Sequence, residues 1–402
     1  MASLLPATAF PGCTVLAFML AGGAGSRLRP LTTVRAKPAV PFRERLRLMD
    51  FTLSSVRNSG LREVHVLTQY LSDSVSEHLR DSWGTPATGL GIHSYNGALL
   101  KGGAYRGTAD AIRRHLDLVA ELRPDVVLVL SADHVYRMDY RPLLNAHLVS
   151  GAGATIAALR VPAASASAYG VLQTSGTGRI ERFLEKPSDP PTLAADPSKS
   201  LVSMGIYAFN PAVLCRTLLP HDGVQSDDFG YQVFPSMVAT GGLHAYDFAR
   251  HDPLADESGA YWRDVGTLGQ YFRATQDSLT PTPPVPINDA HWPIGGSTAH
   301  SVAMSADGQN AIAARVRYSG AQVDHSVLAS DVSVGDGAQL SECVVLRGAS
   351  IGQGASLKRV IVERGVDVPA GVSAGFDLRR DQRRFWLDKS GVTVLCKNHF
   401  GG

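Results

Sequence analysis

Between residues 20 and 37 the chain gathers small flexible residues and fixed positive charge. The run is Leu20-Ala21-Gly22-Gly23-Ala24-Gly25-Ser26-Arg27, and Lys37 follows further on. Glycine carries no side chain, so backbone N–H groups at Gly22, Gly23 and Gly25 can approach phosphate oxygens closely. Arg27 and Lys37 would neutralise charge as a phosphoryl bond breaks. Together these are the parts of a triphosphate-binding loop. A P-loop is excluded, because no Gly-Lys-Ser/Thr follows Gly25. A dinucleotide fingerprint is excluded too, since Leu28 stands where its third glycine would be. The competing reading is a tight strand-to-helix turn with two surface cations.

The flanking elements must present this loop. Val15–Leu20 is a continuous apolar run, as a strand buried on both faces requires. Asp50–Asn58 reads as a helix stopped by Gly60. Glu63–Thr68 reads as a second strand. Thr108–Leu122 reads as one amphipathic helix, with Ala109, Ile112, Leu116, Val119 and Leu122 on one face and Arg113, Arg114 and Asp117 on the other. Asp125–Leu130 is a further buried strand, ending at Ser131-Ala132-Asp133-His134. Strands alternating with helices predict an α/β fold with ligands at the carboxyl ends of a mostly parallel sheet. The glycine loop and Asp133 both sit at such ends.

Composition narrows the classes. The chain has 402 residues, 44% of them hydrophobic, and a formal net charge of only +2. That balance offers no footprint for nucleic acid or an anionic membrane, and no apolar run is long enough to span a bilayer. Met1 to Phe18 has no Lys or Arg and lacks the charged start of a secretory signal. Four scattered cysteines, Cys13, Cys215, Cys343 and Cys396, make no C-x-x-C pair and read as reduced thiols of a cytoplasmic protein.

Past Thr280-Pro281-Thr282-Pro283-Pro284-Val285-Pro286, a stiff extended linker, the pattern changes. Val327, Val344 and Ile361 are spaced by 17, as are Val334, Ile351 and Val368. Gly335 and Gly352, and then Ala338 and Ala355, keep the same register. Short β units, three to a turn, produce such a repeat in a parallel β-helix. The expected divisions are 1–280, a linker over 281–310, and a β-helix over 311–402.

The loop, extended through Arg29-Pro30-Leu31-Thr32 to Lys37-Pro38, resembles the signature of sugar-1-phosphate nucleotidyltransferases, and within them the ADP-glucose pyrophosphorylases. Further motifs occur in the family's order. They are Tyr105-Arg106-Gly107-Thr108-Ala109-Asp110, Asp133-His134-Val135-Tyr136, Phe183-Leu184-Glu185-Lys186-Pro187, Ser203-Met204-Gly205, Asp228-Phe229-Gly230 and Trp262-Arg263-Asp264. The resemblance implies a Rossmann-like nucleotidyltransferase domain and a left-handed form of the β-helix. It also implies attack by a sugar 1-phosphate oxygen on the α-phosphorus of a nucleoside triphosphate, with loss of pyrophosphate.

By that resemblance Arg27, Lys37 and Asp133 would be catalytic, and Asp133 with Asp264 would hold Mg²⁺. Hard Mg²⁺ suits a few carboxylates plus phosphate oxygens. Lys186 would hold the sugar phosphate as a compact charge. Glu185, Asp228, Tyr105, Gly170, Ser203 and Trp262 would line the sugar. Asp139, near Asp133, reads as a cap or turn residue. The family implies a homo-oligomer, a dimer or tetramer.

Three places depart from the family. Gly91 to Lys101, where the family carries a Pro-Ala-Gln-Gln segment that helps bind the base, contains no Gln. Val34 stands in place of an activator-linked Lys, and Pro41 in place of a nearby His, although Arg35, Arg45 and Arg47 keep a basic cluster. A Phe-Gly-Gly turn becomes Phe42-Arg43-Glu44-Arg45. The nucleotide, ATP or GTP, therefore stays open. So does the acceptor, which is glucose 1-phosphate or a glucose-like cyclitol such as valienol 1-phosphate in antibiotic biosynthesis. A catalytically silent sugar-nucleotide sensor is the reading from another class.

Overall fold

The computed structural model describes residues 12–219, 226–255, 259–297, 303–305, 309–318 and 320–400. The start of the N-terminal stretch, 1–11, lies outside the described residues, as do 298–302 and 306–308 of the expected linker. Packing groups the chain into two units. The first comprises Met1–Gly23, Thr52–Ala132 and Tyr136–Trp262, and the second Ala24–Phe51, Asp133–Val135 and Arg263–Gly402.

The first unit is built on a mixed sheet of nine strands. β1 (Val15–Ala21), β2 (Glu63–Thr68), β3 (Gly91–Asn96) and β4 (Val126–Ser131) are its parallel half, ordered β4-β1-β2-β3 with β3 at the edge. β5 (Ala154–Pro162), β6 (Gly170–Thr174), β7 (Ile180–Glu185), β8 (Lys199–Phe209) and β9 (Leu243–Asp247) complete it. β8 runs antiparallel to β4, β5 and β6, and β9 lies parallel to β5. Leu16, Ala17, Phe18 and Met19 are consecutive and all buried, which is why the β1 sequence shows no polar alternation.

The expected helix over Thr108–Leu122 is two helices, Thr108–Arg113 and Leu116–Leu122. His115 leaves the helical region at φ −125°, ψ 23°, and its Nε2 lies 2.8 Å from the Tyr105 hydroxyl. Arg113, expected on the outer face, turns inward to donate to the Ser226 carbonyl at 2.8 Å and to Asp110. A buried polar network outweighs continuous helical hydrogen bonding here. The helix Met49–Asn58 is as expected, and Gly60 follows it at φ +81°.

In the second unit, Pro41–Phe42 pairs antiparallel with Leu46–Arg47. Thr267 caps the helix Leu268–Asp277 by accepting from the Gln270 N–H at 3.3 Å. The C-terminal strands stack in parallel with the 17-residue register read from the sequence: Val327 on Val344 on Ile361, and Val334 on Ile351 on Val368. Ala338, Leu340, Ile351, Ala355 and Leu357 fill its interior. At one corner Gly320, Gly337, Gly354 and Gly371 recur at φ between +65° and +75°, left-handed positions that favour glycine. A Cβ on Gly352 would meet the Ala370 nitrogen at 2.4 Å, so the coil stacking itself excludes a side chain there. These are the stacked parallel coils of the left-handed β-helix class. Val285, Trp292 and Ile294, in the segment expected as a linker, are buried. All four cysteines are free thiols, Cys343 buried and the others partly exposed.

Candidate active site

In the second unit three side chains from distant stretches converge. Lys37 opens a short 3₁₀ turn, Lys37–Ala39, and its side chain is almost fully buried. Its Nζ lies 2.8 Å from Asp133 Oδ2 and 3.2 Å from Asp264 Oδ1. Burial alone would pull the Lys37 pKa down, but Asp133 and Asp264 outweigh it and hold it above the ordinary lysine value. Burial would likewise raise the Asp133 carboxyl, yet Lys37 and then His134 hold it below the usual carboxylate range. His134 Nε2 sits 3.5 Å from Asp133 and 3.8 Å from Asp264. The sequence motif assigns His134 no role, and its adjacency to Asp133 is the one signal that points to it.

The glycine loop explains itself locally. Gly25 sits at φ +58°, and a Cβ built there would lie 2.7 Å from Lys37 Cβ. Any other residue would push Lys37 off its carboxylates. Thr32 Oγ1 donates to the Gly25 carbonyl at 2.9 Å and pins the turn. Arg27 is exposed on the 3₁₀ turn Ser26–Leu28. Its Nη2 is 3.2 Å from where a Gly266 Cβ would be, beside Asp264 Oδ2, so Gly266 also keeps space around the cluster. Two carboxylates converging on one buried ammonium are a ready donor set for a hard divalent cation: the lysine already shows that the point favours positive charge.

In the first unit Glu185, Lys186, Gly170 and Asp228 come together. Lys186 Nζ lies 2.5 Å from Glu185 Oε1 and 5.6 Å from the centre of the Tyr231 ring. Burial lowers the Lys186 pKa, but Glu185, Tyr231 and Asp228 more than restore it, so the ammonium stays charged. Added Cβ atoms on Gly170 and Gly230 would meet Glu185 Oε2 at 2.9 and 2.4 Å, so both positions must be bare for this carboxylate to sit there. Asp228 Oδ1 caps the turn that follows, accepting from the Gly230 and Tyr231 N–H groups at 2.9 and 3.0 Å. Its Oδ2 accepts from Thr108 Oγ1 at 3.1 Å. Trp262 is buried, edge-on to Tyr169 at 5.5 Å. Ser203 is buried and its Oγ accepts from the Gly205 N–H at 3.3 Å.

Tyr105 stands apart from that group. Its ring packs on Gly97 and its hydroxyl engages His115, a core placement. Its backbone is clamped by Gln69, which accepts from the Tyr105 N–H and donates to its carbonyl at 3.3 Å. Gly22 packs beside Gln69, whereas Gly23 is exposed with open space around it. Periodicity and motif gave no hint of Gln69. Nor did they reveal that Asp110, fully buried, would gather Arg113, the Arg114 Nε at 3.1 Å and the Arg106 N–H at 2.9 Å. Asp139 is the turn residue expected, accepting from the Arg141 N–H at 2.9 Å.

The second unit also holds a cavity of about 800 Å³, lined among others by Val34, Arg35, Arg347, Glu363, Arg364 and Lys397. Arg35 is tied to Glu363 at 3.0 Å, and Val34 is 68% exposed. The position where the family pattern carries an activator-linked Lys thus presents an apolar side chain to this cavity. Among the described residues no helix is long and apolar enough to cross a membrane.

Comparison with known proteins bears on the family. The nucleotidyl transferase family matches residues 16–280, and the GlmU-like C-terminal hexapeptide family matches residues 299–395. The chain is 44% identical to glucose-1-phosphate adenylyltransferase of Corynebacterium aurimucosum, covering 96% of this chain and 98% of the relative. It is 42% identical to glucose-1-phosphate adenylyltransferase 2 of Vibrio parahaemolyticus, again over 96% and 98%. The enzyme of Mycolicibacterium smegmatis is 42% identical over 95% and 98%. Fold, motifs and matches together define a sugar-1-phosphate nucleotidyltransferase with a hexapeptide-repeat domain. The chain belongs to the glucose-1-phosphate adenylyltransferase family.

Proposed function

We propose that this enzyme transfers the adenylyl group of ATP to glucose 1-phosphate, releasing pyrophosphate and forming ADP-glucose, with Mg²⁺ as the divalent ion. The observation that carries the reading is the convergence of Lys37, Asp133 and Asp264 in the second unit. The names of the relatives support the base and the acceptor.

Asp133 and Asp264 would hold the cation, which when bound supplies charge neutralisation for the triphosphate. Phosphoryl chemistry of this kind needs positioning and charge rather than a covalent nucleophile. Arg27 and Lys37 offset the charge that builds at the α-phosphate and on the departing pyrophosphate. The backbone N–H groups of Gly22 to Gly25 orient the phosphates. Lys186 pairs with the sugar phosphate, while Glu185 and Asp228 accept hydrogen bonds from sugar hydroxyls. A sugar-phosphate oxygen then forms its bond to the α-phosphorus as the bond to the β-phosphate oxygen breaks.

The test is a matrix of pyrophosphate release. ATP, GTP, UTP, CTP and dTTP are each offered with glucose 1-phosphate, glucosamine 1-phosphate and valienol 1-phosphate. Highest kcat/KM for ATP with glucose 1-phosphate supports the proposal. Preference for GTP with valienol 1-phosphate would replace base and acceptor, and would trace to the Gln-free stretch 91–101. No turnover with any pair would leave the sensor reading. By the same family argument the chain forms a homo-oligomer, a dimer or tetramer with the β-helix in the contacts; light scattering of the purified protein would show a monomer if this is wrong.

A further inference from the structure

Edge strand β3 and its neighbour β2 place two histidines and a glutamate on one face of the first unit's sheet. Register pairs Glu63 with Gly91 and His65 with His93. Side chains alternate along a strand, so Glu63, His65 and His93 point the same way. Gly91 contributes no side chain opposite Glu63, and that bareness leaves room for the carboxylate. His93 Nε2 is 3.9 Å from Glu63 Oε2, and the His65 and His93 rings stack at 4.8 Å. One ligand atom from each of the three lies within 4.8 Å of the others.

His65 supplies the independent sign of a ligand. It is 4% exposed, and its Nδ1 engages the Tyr95 hydroxyl at 3.1 Å. Its Nε2 is buried without a hydrogen-bond partner, which leaves a lone pair or N–H open to a bound species. A hydrogen bond to the far ring nitrogen is the device that orients a ligating imidazole.

We propose that Glu63, His65 and His93 bind one Zn²⁺-type divalent transition ion per chain. Two imidazoles and a carboxylate suit that class, and leave a coordination position for water. Tetrahedral zinc with bonds near 2.1 Å needs ligand atoms ~3.4 Å apart. The two rings stack at 18°, so shared ligation requires the partly exposed His93 ring to turn until its lone pair converges with that of His65. The ion would pin the edge strand β3 to β2 and stiffen the chain leading to Tyr105. Its donors differ in chemistry from the carboxylate pair Asp133 and Asp264.

The test uses the full-length protein, stripped by chelator and held in excess Mg²⁺. Isothermal titration with ZnCl₂ should show one ion per chain and a raised melting temperature. His93→Ala and Glu63→Ala, whose side chains are not buried, should each weaken that binding at least about tenfold with unchanged far-UV circular dichroism. His65→Ala is the stronger variant but removes a core side chain, so it is secondary. Asp133→Asn should leave the zinc stoichiometry intact. Co²⁺ in place of Zn²⁺ should give visible d–d absorption that disappears in His93→Ala. No stoichiometric zinc, or zinc retained by His93→Ala and lost from Asp133→Asn, overturns the proposal.

Discussion

At the scale of single residues the decisive feature is a lysine that serves two carboxylates. Lys37 is held charged by Asp133 and Asp264, and it in turn holds the Asp133 carboxyl below the usual carboxylate range. Asp133→Asn and Asp264→Asn should each reduce metal-dependent pyrophosphate release by at least about 100-fold while the protein stays folded. Wild-type turnover in either would remove that residue from the machinery. Lys186 works differently. Its charge is preserved by Glu185, Tyr231 and Asp228, and in the proposed reaction it would hold the sugar phosphate in ground state and transition state alike. Lys186→Ala should raise the KM for the sugar phosphate about tenfold or more, with a smaller change in kcat. An unchanged KM in steady-state kinetics would count against its role.

Elements convert these residues into geometry. Gly25 is the turn residue of the glycine loop, and its left-handed backbone and contact with Lys37 leave no place for a methyl group. Gly25→Ala should cost about 1–3 kcal/mol in urea unfolding and lower kcat as well. A helix-to-strand contact makes a separate prediction about acid. His147, on the helix Arg141–Ser150, is buried with its Nδ1 2.9 Å from Thr155 Oγ1 on β5. Burial pushes its pKa from 6.5 down to about 4. Between those values the unfolded chain takes up a proton that the folded chain refuses. Stability should therefore be indifferent to His147 above about pH 6.5 and fall as pH drops toward 4, by on the order of 3 kcal/mol in all. His147→Gln should flatten that part of the melting-temperature profile.

For the whole molecule, the packing division matters more than the sequence division. The hairpin around Arg43–Arg45, where the family pattern has glycines, belongs to the second unit. Arg43 takes φ +54° and donates to Met304 Sδ at 2.6 Å. Glu44 accepts from the Ser330 N–H at 2.6 Å, and Arg35 pairs with Glu363. A fragment ending at residue 280 would strip all three of their partners, leaving a buried guanidinium without its contact. Such a fragment should be poorly folded and inactive; a monodisperse, active fragment would show that the sequence boundary is also the folding boundary.

Much of this was legible in the residues alone. An apolar run with no alternation specified a strand buried on both faces, and β1 is that strand. The 17-residue spacing specified coil register, because stacked coils must repeat side chain on side chain. The glycine loop, Asp133, Lys186 and Asp264 could be singled out as candidates because phosphate and metal chemistry accept few residue types. What the sequence could not carry was proximity. Nothing local tells Lys37 that it will sit between Asp133 and Asp264, or His115 that a tyrosine hydroxyl will break its helix. Nothing local brings Glu63 beside His93 or ties Arg43 to Met304. Those pairings join residues far apart in the chain, and only the tertiary packing decides which distant charge or hydroxyl each buried polar group finds.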